Sequence, residues 1–192
     1  MLYSTKIVVV IRLKEIYTKI IEDLEPSKYT VYCDMDGVLC DFEQQFRNLT
    51  RSKNRTSGMS PDEYKTKYST NSFWKIIDRA GTKFWADMPW MPDGETLYNY
   101  IKPNLYSLLS SPSFDVSSEE GKQEWVDKNM PGTNLILAPR ANKQDYAKEN
   151  AILIDDLKPT IDEWNAKGGI GILHTSAAST IKKLEELKKL GL

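Results

Sequence analysis

Histidine is nearly absent from this chain of 192 residues: His174 is the only one. A His-rich zinc site, or an active site that uses two histidines, is therefore excluded. Cysteine is scarce too. Cys33 and Cys40 are the only two. They do not form a C-x-x-C pair, and two thiols cannot build a disulfide framework. A reducing, cytoplasmic compartment is the simplest expectation. No apolar run approaches the ~20 residues of a membrane span. Ile7–Ile11 falls short of the roughly 7–15 residues of a signal-peptide core, so no membrane association is expected. Charge of one sign is also missing: 26 Lys and Arg face 27 Asp and Glu, a formal net charge of -1. An extended nucleic-acid surface is not expected from that balance. If the protein works with a metal, carboxylates must carry it.

What the chain does contain is an alternation of elements. Residues 1–28 read as an N-terminal extension. Ile7–Ile11 is a candidate strand, and Ile16, Ile20 and Leu24 recur at helical spacing over 12–24 before Pro26. Tyr29–Cys33 reads as a buried strand. The composition then changes between Asp41 and about Lys102. Arg51–Ser60 is polar and loop-like. Pro61–Tyr68 opens with proline at a first helical position, and Asn71–Ala80 is a second short helix that Gly81 ends. Three of the five tryptophans, Trp74, Trp85 and Trp90, lie in this block, which has no clear strand.

Beyond it the rhythm is regular. Strands are expected over Asn104–Ser110, Asn134–Ala138, Ala151–Ile154 and Gly169–His174. Ser117 and Glu120 have capping-box spacing and open a helix to about Asn129. Pro159–Lys167 is a helix closed by Gly168 at its C′ position. Ala178–Leu190 carries Ile181, Leu184, Leu187 and Leu190 on one face. Strands alternating with helices predict an α/β fold, a parallel sheet covered on both faces.

In such sheets ligands collect beyond the carboxyl ends of the strands. Those ends carry Asp34-Met35-Asp36-Gly37, Ser110-Ser111-Pro112, Pro139-Arg140 with Lys143, Asp155-Asp156, and His174-Thr175-Ser176. Four carboxylates in one cleft repel unless a cation relieves them. Oxygen ligands and a phosphate partner favour Mg²⁺. A strand-end carboxylate can attack phosphorus, and a second one two residues on can protonate the leaving oxygen. A hydroxyl and a lysine can hold the phosphoryl oxygens. His174 reads as a structural histidine near the site, and Arg51, Lys53 and Arg55 as a solvated loop. Gly168-Gly169-Ile170-Gly171 reads as a helix end entering a strand.

Asp34-Met35-Asp36-Gly37-Val38-Leu39 resembles the first motif of the haloacid dehalogenase superfamily, D-x-D-G-[TV]-L. Ser110 resembles its second motif and Asp155-Asp156, after Ile-Leu-Ile, its fourth. Within that superfamily, Asp34–Phe42, Ser110-Ser111-Pro112, Leu153–Asp156 and Phe84-Trp85 ahead of Pro89 and Pro92 resemble the 5′(3′)-deoxyribonucleotidases. The resemblance implies a Rossmann-like core over 29–42 and 101–192 with a helical cap, 43–100, inserted after the first core strand. It implies an Mg²⁺-dependent phosphoric monoester hydrolase acting on nucleoside monophosphates, deoxyribonucleotides foremost. Asp34 would be nucleophile and metal ligand, and Asp36 the acid/base with its backbone carbonyl on the metal. Ser110 would bind phosphate. Asp156 would be the direct metal carboxylate, with Asp155 close behind. Phe42, Trp74, Phe84 and Trp85 are candidates for a base pocket, with Ser111 and Arg140 also on the substrate. The family's third-motif lysine is Lys143 or Lys148. Lys143 is preferred because it follows Arg140 as the family's lysine follows an arginine; Lys122 is a third candidate. Another phosphorylated metabolite, a nucleic-acid phosphate end, or a silent phospholigand-binding role are the alternatives, and a homodimer is compatible with all of them.

Overall fold

The computed structural model describes residues 29–54 and 58–190. The extension expected over 1–28, with its strand and helix, lies outside the described residues. Five strands form one sheet: β1 (Thr30–Cys33), β2 (Leu105–Ser110), β3 (Leu135–Leu137), β4 (Ala151–Asp155) and β5 (Ile170–Leu173). Their order is β3-β2-β1-β4-β5, and every neighbouring pair is parallel. The chain moves outward from β1 in one direction and then crosses to its other side. β1 is therefore the switch point, where a parallel sheet opens a crevice at its carboxyl edge.

Alternation along the strands feeds two separate cores. Val31, Cys33, Leu108, Ile152 and Ile154 join the larger cluster; Tyr32, Leu109, Ala151 and Leu153 join the smaller one. Burial on both faces explains why these strands read as unbroken apolar runs. The smaller cluster is closed by Ile161 and Trp164 of α7 (Lys158–Ala166). The larger one takes Trp125 and Val126 of α6 (Ser117–Asn129) and Ile181, Leu184 and Leu187 of α8 (Ala177–Lys189). Leu190, expected on that same face, lies past the end of α8 and is exposed.

Five helices intervene between β1 and β2: α1 (Phe42–Asn54), α2 (Pro61–Tyr68), α3 (Thr70–Ala80), α4 (Thr82–Ala86) and α5 (Gly94–Ile101). Ser60 and Glu63 form a reciprocal capping box at α2, with Pro61 in its first turn. The box expected at Ser117 and Glu120 does not form. Asp115 accepts the Ser117 N–H instead, at 2.9 Å, and Glu120 accepts from Thr82 Oγ1 at 3.0 Å. The acid two residues upstream satisfies the helix start, which frees Glu120 to tie α6 to α4. The segment returning to the sheet is bound to the loop after β1: Asp41 N–H donates to Pro89 O and Met91 N–H to Leu39 O. Trp125 Nε1 donates to Met88 O at 2.8 Å, fixing α6 on this segment. Among the described residues no helix is long and apolar enough to cross a membrane.

Candidate active site

The site begins where β1 ends. The Asp34 N–H still donates to Ile154 O, as a continuation of the parallel pairing with β4. The chain then turns tightly: Leu39 and Cys40 N–H both reach Met35 O, and Gly37 N–H reaches Cys40 O. Gly37 has φ +77, and a Cβ there would collide with the Asp156 carboxylate. Glycine is needed twice over, for the left-handed backbone and for the close approach. Gly37→Ala is expected to destabilise the fold by about 1–2 kcal/mol from the backbone alone and to displace Asp156. Urea unfolding checks this, and an unchanged midpoint would contradict it.

Two buried lysines organise the acids. Lys143, on the 3₁₀ segment Arg140–Tyr146, is 2.9 Å from Asp34 Oδ1 and 2.8 Å from Asp155 Oδ2. Lys122, on α6, is fully buried. Its ammonium donates to Asp36 Oδ2 at 2.7 Å, Ser110 Oγ at 2.8 Å and Ser111 O at 2.7 Å. It also sits 5.3 Å over the Trp85 ring. Gly121, the residue before it, has no side chain to separate α6 from α4; a Cβ would meet Thr82 O and Trp85 Cβ. That close packing brings Lys122 to the strand ends. Cys40 Sγ donates to the other Asp36 oxygen at 3.4 Å.

Asp155 Oδ1 accepts the Leu157 N–H at 2.8 Å, which turns the chain after β4. Asp34, Asp155 and Asp156 then offer oxygens within 4.8 Å of one another. Burial, only partly offset by Lys143, pushes the Asp34 carboxyl up to about 6. Partial burial of the Asp156 carboxyl, and then the charges of Asp34 and Asp155, raise it to about 7. Such crowding is what a divalent cation would relieve, and an all-carboxylate donor set fits a hard ion. Burial is the main effect on Lys143 and would lower it, but Asp34 and Asp155 more than compensate and hold it above its ordinary value. His174 is buried, its Nδ1 2.9 Å from Thr180 Oγ1, and burial lowers its pKa. That contact ties its ring to α8.

The structure thus brings together Asp34, Asp36, Ser110, Ser111, Lys143, Asp155 and Asp156. The other candidates are placed around this group. Arg140 is engaged elsewhere, its terminal nitrogens 2.9 and 3.2 Å from Glu163 of α7. Lys148 is exposed. Phe84 and Trp85 are 3% and 2% exposed, as buried as the site's own polar groups, and Trp85 lies under the Lys122 ammonium. Phe42, half-buried, packs on both at 5.4 and 5.7 Å, and Trp74, also half-buried, packs edge-on against Phe73 of α3. Lys122, the third candidate by sequence, is the lysine that bonds both Asp36 and Ser110. A signal for it exists: Lys122, Trp125 and Val126 share the i, i+3, i+4 face of α6 that enters the core. A lysine on an apolar stripe needs an acidic partner.

Two solved structures are similar over most of the chain. A hydrolase from Streptococcus pneumoniae TIGR4 is 14% identical, with a TM-score of 0.56 over 82% of this chain and 99% of its own. An L-2-haloacid dehalogenase is 11% identical, with a TM-score of 0.52 over 74% of this chain and 82% of its own. The fold is haloacid dehalogenase-like. No protein-family model matches the chain, and no curated protein matches it. In this haloacid dehalogenase-like fold the acids stand at the carboxyl ends of two neighbouring strands, Asp34 and Asp36 after β1 and Asp155 and Asp156 at β4, beside the switch point.

Proposed function

We propose that this chain is an Mg²⁺-dependent phosphatase of nucleoside monophosphates, deoxyribonucleotides foremost, working through an aspartyl-phosphate on Asp34. The observation that carries the reading is Lys122, one buried ammonium bonded at once to Asp36 and Ser110. With Lys143 on Asp34, it places two cations beside the two acids, as a phosphoryl dianion requires. Asp34 attacks phosphorus, and the ester P–O bond breaks as the Asp34 oxygen–phosphorus bond forms. Asp36 gives its proton to the leaving oxygen. It then takes a proton from water, whose attack releases phosphate and restores Asp34. Ser110, Lys122 and Lys143 hold the phosphoryl oxygens. Asp34, Asp155 and Asp156 would hold the Mg²⁺, which when bound neutralises charge on the phosphoryl group. In this reading the block 43–100 is a helical cap inserted in a core of 29–42 and 101–192.

The test is a panel of dNMPs, NMPs, sugar phosphates and 5′-phosphorylated oligonucleotides, with Mg²⁺ and with EDTA. dNMP hydrolysis that needs Mg²⁺ and exceeds the other substrates is expected. Hydrolysis of sugar phosphates without dNMPs would overturn the substrate. No Mg²⁺-dependent hydrolysis of any ester would overturn the reaction.

A further inference from the structure

Large apolar side chains exposed among the described residues include Phe114, Val116 and Leu157, and these three lie on the two loops that carry the site. Phe114 and Val116 follow Ser110-Ser111-Pro112 on the loop after β2, and Leu157 follows Asp156 on the loop after β4. β2 and β4 flank β1 on opposite sides, so the loops flank Asp34 and Asp36. Phe114 is four residues from Ser110, a span of at most about 14 Å. Its side chain is as open as that of an unfolded chain, at 106%.

This exposure does not come from a slack loop. Ser118 Oγ accepts the Ser113 N–H at 2.9 Å and donates to Asp115 O at 2.9 Å. Ser113 Oγ accepts the Asp115 N–H at 3.3 Å, and Asp115 Oδ1 accepts the Ser117 N–H at 2.9 Å. The loop is thus pinned on both sides of Phe114 and to the first turn of α6, the helix that also supplies Lys122. A fully solvated aromatic ring gains nothing for the fold. Its backbone is held, so a planar partner meets the ring at a defined place on the loop.

Resting on the phosphatase reading above, we propose that Phe114 is a specificity-determining residue, an outer platform for a neutral aromatic ring carried by the leaving group. The charge pattern decides between a monophosphate and a longer polyanion. The cations of the site, Lys122 and Lys143, are buried with the phosphate-binding groups, whereas the loop that carries Phe114, Ser111–Val116, has Asp115 and no lysine or arginine. One phosphate can sit on the lysines with an uncharged base on Phe114; further phosphates along an oligonucleotide would find a carboxylate and no cation on this loop. The substrate class is therefore a single phosphate monoester with a heteroaromatic leaving group.

The experiment compares deoxyguanosine 5′-monophosphate with 2-deoxyribose 5-phosphate, the same ester without the base, in the wild type, Phe114→Ala and Phe114→Trp. The ratio of their kcat/KM values is expected to fall about ten-fold in Phe114→Ala, mainly through KM, and to survive in Phe114→Trp. A 5′-phosphorylated oligonucleotide is expected to be the poorer substrate of the wild type. An unchanged ratio in Phe114→Ala, an equal loss on both substrates, or faster turnover of the oligonucleotide would overturn the platform and leave the phosphatase standing. A wild type that hydrolyses neither ester would overturn both.

Discussion

Asp34→Asn is expected to lower phosphate-ester turnover by at least about 10³-fold, the scale seen when a nucleophile is removed from a working set. The amide keeps the shape of the carboxylate at the end of β1 but cannot attack phosphorus. Loss of fold is not the expected cause, and the pH dependence of stability separates the two. The Asp34 carboxyl titrates at about 6 in the native protein against an ordinary value of 3.8. Between those pH values the native state holds a proton that the unfolded state has lost, so stability falls as pH rises through the window. Above it, the wild type without a metal bears the cost of a buried charge that the variant does not have. In EDTA at pH 8, Asp34→Asn is therefore expected to melt no lower than the wild type. Inactivity together with a melting temperature well below the wild type's would point to a structural role for Asp34, and full activity would remove it from the chemistry.

The parallel sheet and the acids at its edge were legible because each rests on local pattern. Apolar runs such as Ile152–Ile154 must be buried on both faces, and a carboxylate directly after such a run is placed at the strand end by geometry alone. Gly37 and Gly168 mark their turns with φ +77 and +87, which other residues rarely adopt. Arg140 and Lys122 were not legible in the same way. Both depend on which distant partner the fold presents. Arg140 follows β3, at a strand end like the acids, but Glu163 on α7 captures its guanidinium. Lys122 lies mid-helix, far from every motif, and only the absence of a side chain at Gly121 lets α6 approach α4 closely enough to carry it in. The aromatic residues divide by the same rule. The pattern identifies Phe84 and Trp85 as apolar, but burial among Phe42 and Phe73 is a property of the packed helices. Phe114 is the converse case: its sequence neighbours are polar, and the loop hydrogen bonds that hold its backbone leave the ring outside.

The three lysines are expected to separate when each is replaced by Met, which keeps the length of the side chain and removes its charge. Lys143→Met should be the most damaging to stability. Its ammonium is the shared partner of two buried carboxylates, Asp34 and Asp155. Breaking a buried pair by removing one member costs about 3–5 kcal/mol, because the stranded charge has neither water nor a counter-ion. Lys122→Met should cost less, about 1–3 kcal/mol from the unsatisfied Ser110 hydroxyl and Ser111 carbonyl. The Asp36 side chain is 30% exposed, so water can replace the lost ammonium there. Its activity should nonetheless fall about 10²–10³-fold, since a preorganised cation aimed at developing charge is lost. Lys148→Met, on the surface, should change neither property. Urea unfolding ranks the stabilities, and Mg²⁺-dependent dNMP hydrolysis ranks the activities. A Lys122→Met protein that retains wild-type turnover would show that its contact with Asp36 and Ser110 serves the fold alone. A Lys148→Met protein that loses turnover would return the phosphate-binding role to the lysine that the fold leaves on the outside.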